Sequence, residues 1–175
     1  MTDSPATPTE ADAPIHAVVQ RWHRQLRGEL PGGLDELLDE ECDFISPIVF
    51  SPQKGKELTK LYLQAAGQTL PGDSSESPLG QQGSGGAAGA GTPAGADTEW
   101  DGRFRYTKEV ASGNHAVLEF ETMVEGTYVN GVDIITCNDE GRITEFRVMI
   151  RPLQAVNLVH AQMKAMLESM GALGG

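Results

Sequence analysis

Cysteine is scarce in this chain: Cys42 and Cys137 are the only two, far apart and without a CxxC partner. That excludes a disulfide framework and a cysteine-rich metal site, and both residues read as reduced, packed thiols. Long hydrophobic runs are missing too. No stretch approaches the roughly 20 apolar residues of a membrane-spanning helix, and residues 1–14 show neither a basic nor an apolar leader pattern, so no membrane association and a cytoplasmic location are expected. Basic residues are few, 13 Lys and Arg against 25 Asp and Glu, and a formal charge of −12 repels phosphate backbones, so nucleic acid is not an expected partner. Among the histidines, His16 and His23 share the first helical segment while His115 and His160 stand alone. No clustered metal ligands accompany them, Gly85 to Gly91 lacks the flanking strand and helix of a phosphate loop, and no nucleophile elbow is present. No metal and no cofactor are expected.

What is present suffices for one domain. At 175 residues a buried core needs no staples. Residues 1–11, with Pro5 and Pro8, read as a disordered leader, and residues 12–170 as a single domain interrupted by a flexible Gly/Ala/Ser-rich insertion at 71–98. Pro14 suits a helix start, and Ile15, Val18, Val19, Trp22 and Leu26 follow at helical spacing. A short second helix is expected around Leu34, Leu37 and Leu38, a strand over 42–50 broken by Pro47, and a third helix from Gly55 to about Gly67. After the insertion, residues 104–110, 115–124, 127–137 and 142–150 read as a strand meander. A closing helix over 153–170 carries Val156, Val159, Met163, Met166, Leu167 and Met170 on one stripe.

Two turn signals compete between the second and third of these strands, Glu125-Gly126 and Asn130-Gly131. The first allows longer strands. It sets Phe120 against Gly131 and Leu118 against Asp133, so that Asp133 shares a face with Leu118 and Phe120. Glu119, Glu121 and Arg147 then fall on the opposite face, where cross-strand ion pairs are their expected role, together with Val132, Ile134 and Met149. A sheet face that mixes apolar and charged residues suits a subunit interface, and a homodimer through it is expected.

Three helices followed by a meander that contains Gly131-Val132-Asp133-Ile134-Ile135, Asp139-Glu140-Gly141-Arg142-Ile143 and Arg151-Pro152-Leu153 resemble the SnoaL-like family of the nuclear transport factor 2-like superfamily. The resemblance covers about residues 14–70 and 99–168. It implies an α+β fold: a cone-shaped, curved antiparallel sheet wrapped by three N-terminal helices, plus a C-terminal helix. That superfamily includes ketosteroid isomerases, polyketide cyclases and non-catalytic binding or dimerisation modules, so the site decides the function. The resemblance places Asp133 on the oxyanion-hole aspartate of the ketosteroid isomerases, a carboxyl that an apolar site keeps protonated there. It places Ser46 on the catalytic base and Trp22 on the oxyanion-hole tyrosine. A serine without a base cannot accept a proton at neutral pH and an indole only donates, so a ketosteroid isomerase of the familiar kind is not expected. Tyr62, Leu118, Phe120, Phe146, Val148 and Ile150 are implied to face the pocket, walls suited to a hydrophobic ligand.

Three functions stay open on the sequence. One is a small-molecule-binding domain for a hydrophobic, oxygen-bearing ligand; another is an isomerase or cyclase-type enzyme with Asp133 as acid and His23 or water as base; the third is a non-catalytic dimeric scaffold. Asp133 itself has a bland reading, a structural aspartate that accepts hydrogen bonds from nearby backbone or Trp22. Arg151 is expected to cap backbone carbonyls or to reach a ligand anion.

Overall fold

Pro14 supplies a fixed φ where the first helical N–H has no partner, and from it α1 (Pro14–Leu26) buries Ile15, Val18, Val19 and Trp22 on one face. Gly28, at φ 70°, takes the left-handed conformation that ends it. These details come from a computed structural model, which describes residues 13–70 and 100–169. The expected leader, the insertion at 71–98 and Met170 of the closing stripe lie outside the described residues.

Next come α2 (Gly33–Leu37), β1 (Leu38–Ile45), β2 (Gln53–Lys54) and α3 (Lys56–Thr69). Four more strands follow, β3 (Arg105–Ser112), β4 (His115–Val124), β5 (Thr127–Cys137) and β6 (Ile143–Arg151), and α4 (Leu153–Ser169) closes the described chain. The six strands form one curved sheet in the order β2-β1-β6-β5-β4-β3. Glu125 and Gly126, both at positive φ, make the β4–β5 turn, which suits the right-handed strand twist. Phe120 pairs with Gly131 and Leu118 with Asp133, the register expected from that turn. The inner face of the sheet, carrying Leu118, Phe120, Ile135 and Phe146, packs with Ile15, Val18 and Trp22 of α1 and with Ala65 of α3 into one core. Because α4 packs against both α3 and β6, it walls one side of that space.

The sheet departs from the expected pattern in three places. β1 runs over Leu38–Ile45 and not over 42–50. At its start, the Arg142 guanidinium donates to the carbonyls of Asp35, Glu36 and Leu38 and pins the α2–β1 junction; past its end, Ser46 Oγ accepts from the N–H groups of Ile48 and Val49 and turns the chain. β1 pairs in parallel with β6, the one parallel pairing among the described strands, and β2 adds a two-residue antiparallel partner with no signal in the sequence. Finally, β3 carries a bulge between Tyr106 and Lys108. Tyr106 stands opposite Phe120 on the inner face, while after the extra residue Lys108 and Val110 stand opposite Glu119 and Val117 on the outer one.

On that outer face Lys108 pairs with Glu119 at 3.1 Å and Arg105 with Glu121 at 2.7 Å, both across strands. Arg147 instead pairs within its own strand, with Glu145. Arg151 neither caps a carbonyl nor turns toward the inner face: its Nε donates to the side chain of Asn130 at 2.7 Å. Cys42 and Cys137 are free and buried. No helix among the described residues is long and apolar enough to cross a membrane.

Candidate functional site

Asp133 sits in the middle of β5, opposite Leu118 on one side and Val148 on the other, and is 5% exposed. A carboxylate in such a place needs a donor. Tyr106 supplies it, because the bulge in β3 turns this phenol inward: its hydroxyl donates to Asp133 Oδ2 at 2.5 Å. The Trp22 indole N–H, delivered by the buried face of α1, donates in turn to the Tyr106 oxygen at 2.7 Å. Donation thus runs in one direction, from indole to phenol to carboxyl, and each step favours the next.

The electrostatics follow from this burial. Removal from water pushes the Asp133 carboxyl up to about 7, and the Tyr106 hydrogen bond pulls the other way. Burial, reinforced by the neighbouring Asp133, holds Tyr106 well above the ordinary phenol range, so the phenol keeps its proton. Near neutral pH Asp133 is therefore divided between a neutral acid, able to donate a hydrogen bond, and a carboxylate.

These groups line a chamber of about 130 Å³ whose walls are otherwise apolar, with Phe104, Phe120 and Phe146 among them. Phe104 stacks on Phe120 at 5.1 Å, and Trp22 lies 4.9 Å from Phe146. A second chamber of about 230 Å³ lies between the β1–β2 connection, α3 and α4, and shares Phe44, Ala66, Leu70 and Val148 with the first. The shared residues make the two chambers neighbours, and the larger one approaches the lower end of small-molecule sites, about 300 Å³.

The structure divides the residues expected from the sequence between these two chambers. Asp133, Trp22, Phe120 and Phe146 line the smaller chamber, Ser46, Tyr62 and Ile150 the larger, and Val148 both. Leu118 lines neither; paired with Asp133, it is fully buried in the core that the sheet shares with α1. Ser46 Oγ, in the base position, is occupied in accepting two backbone N–H groups. His23 lines neither chamber: its Nε2 lies 2.7 Å from Glu109 Oε1, and its ring meets the edge of Tyr106 at 5.4 Å. The sequence pattern alone does not single out Tyr106. Its signal was parity, since a residue that pairs with the inward Phe120 must itself face inward, but only the bulge fixes which residue of 104–110 makes that pair.

No family model matches the chain, and no curated protein matches it. Solved structures do. A steroid delta-isomerase from Pseudomonas aeruginosa is similar with a TM-score of 0.69 at 26% identity, over 95% of this chain and 99% of that one. An uncharacterised protein with a cystatin-like fold from Silicibacter pomeroyi gives 0.66 at 22% identity, over 90% and 89%. A protein of unknown function from Mesorhizobium loti, described as nuclear transport factor 2-like, gives 0.55 at 19% identity, over 83% and 98%.

Proposed function

We propose, from the premise that this chain has the nuclear transport factor 2-like fold and sequence motifs resembling its SnoaL-like branch, that it binds a hydrophobic small molecule bearing an oxygen. The observation that carries the reading is the Trp22–Tyr106–Asp133 chain of hydrogen bonds, which ends on a carboxyl in an apolar chamber. In its neutral form Asp133 donates to a ligand carbonyl or hydroxyl, while the surrounding aromatic rings exclude water and strengthen that bond. A hydrocarbon of the same shape fills the walls but leaves the acid without an acceptor.

Tetralone and tetralin, one frame with and without a ketone, test this. Tetralone is expected to bind about tenfold tighter below neutral pH, a difference of about 1.4 kcal/mol that a single good hydrogen bond supplies. The advantage shrinks as the pH rises through about 7 and Asp133 loses its proton. Asp133→Leu abolishes it, and Asp133→Asn, which still donates but does not titrate, makes it independent of pH. Equal binding of the two compounds to the wild-type protein sinks the reading.

A second reading is an isomerase or cyclase-type enzyme in which Asp133 acts as the acid. It is favoured by the carboxyl value of about 7, suited to proton transfer, and by the likeness to a steroid delta-isomerase. It ranks behind binding because Asp133 is the only carboxylate among the described residues that line either chamber, and Ser46 stands where a base is needed. Turnover of a cyclic enone that disappears in Asp133→Asn would promote it. In either case we place the working unit as a homodimer through the outer sheet face, where Val110, Val117 and Met149 are 61%, 40% and 50% exposed.

A further inference from the structure

The larger chamber is not uniformly apolar. On its α4 wall, His160 and Lys164 stand one turn apart on the same face, both exposed, while Val159, Met163 and Leu167 of the same helix turn into the chamber. Lys164 is the one permanently charged side chain among the described residues lining it, and no carboxylate lines it. Its partner, Glu168, is 3.9 Å away, and with 62% and 55% of the two side chains exposed this ion pair gives way readily to a better one. Behind the rim the chamber shares Phe44, Ala66, Leu70 and Val148 with the smaller chamber that Asp133 lines. A cationic rim over an apolar body is complementary to an amphiphile with an anionic head.

We propose that the cleft takes an elongated apolar carboxylate. Its head group lies at the mouth between His160 and Lys164, and its body runs inward toward the Tyr106–Asp133 pair. The inference deepens the binding function proposed above and rests on it for the apolar cleft, but the head-group subsite lies on the larger chamber, which Asp133 does not line, and is tested separately. The carboxylate gains a charge-assisted hydrogen bond at the rim, and the alkyl or polycyclic body gains its affinity from burial.

Titration calorimetry of the full chain with decanoate and with decanol, equal in length and different in head charge, reads the subsite directly. Decanoate is expected to bind about tenfold tighter than decanol to the wild-type protein, an advantage that falls with added salt as a partly exposed ion pair should. Lys164→Gln brings the two affinities together, because it removes the head group's charge partner while keeping a long polar side chain at the rim. Equal affinities in the wild type, or an advantage that survives both Lys164→Gln and His160→Gln, overturns the anionic subsite, and decanol binding would then leave the apolar cleft standing. Binding of neither probe overturns the subsite as well. Failure of the Asp133 reading shows up elsewhere, as a tetralone preference indifferent to Asp133.

Discussion

Tyr106 is the residue on which the chemistry of the site turns, since it passes the donation of Trp22 on to Asp133. Tyr106→Phe removes the bond that draws Asp133 downward, so the Asp133 carboxyl is expected to titrate above about 7 in that variant, as followed by carboxyl NMR. The same change leaves the Trp22 indole without its acceptor and is expected to cost about 1–3 kcal/mol in urea unfolding. Asp133 also ties stability to pH. Its folded value of about 7 lies above the ordinary 3.8, so between these values the native state holds a proton that the unfolded chain has released. Its contribution is complete below the lower value, declines as pH rises, and is lost once pH passes the folded value; the whole change is on the order of 4 kcal/mol. Wild-type protein should lose this stability relative to Asp133→Asn as pH is raised across that window; parallel curves for the two proteins would contradict it. The sequence made Asp133 legible through the hairpin register. It could not show Tyr106, whose direction depends on one extra residue in an edge strand.

At the scale of elements, Gly131 shows how closely β4, β5 and β6 fit around the site. A Cβ there would stand 2.5 Å from the carbonyl oxygen of Met149 and 2.5 Å from the ring of Phe120. Gly131→Ala is expected to cost about 1–3 kcal/mol and to displace Phe120 from the wall of the smaller chamber, measured as a lower denaturation midpoint and weaker tetralone binding. β4 and β5 were legible to the residue because turn chemistry and alternation agree there: Glu125-Gly126 accepts positive φ, and the inward set runs Leu118, Phe120 against Asp133, Gly131. β1 was not. Leu38 reads equally well as the last turn of a helix, and what makes it strand is distant, namely the Arg142 guanidinium and the parallel pairing with β6. The four helices were found by their apolar periodicity, while the chamber walls followed the wrap of α3 and α4, which periodicity does not specify.

At the scale of the whole molecule, the outer sheet face carries Val117, Ile134 and Arg147 in one row across β4, β5 and β6. If two copies meet there, sedimentation should give twice the mass of the chain, and Val117→Asp combined with Met149→Asp should give a monomer whose tetralone affinity is unchanged; a wild-type monomer would refute the homodimer. The same closing of helices over the inner face is what removes water from Asp133, so one titration reports on fold, register and site together. The carboxyl resonance of Asp133, assigned by its loss in Asp133→Asn and followed by NMR against pH, is expected to show a midpoint near 7. A midpoint in the ordinary carboxylate range, near 3.8, would mean that water or a cation reaches this carboxyl in the folded protein, and the donor role assigned to Asp133 would be wrong.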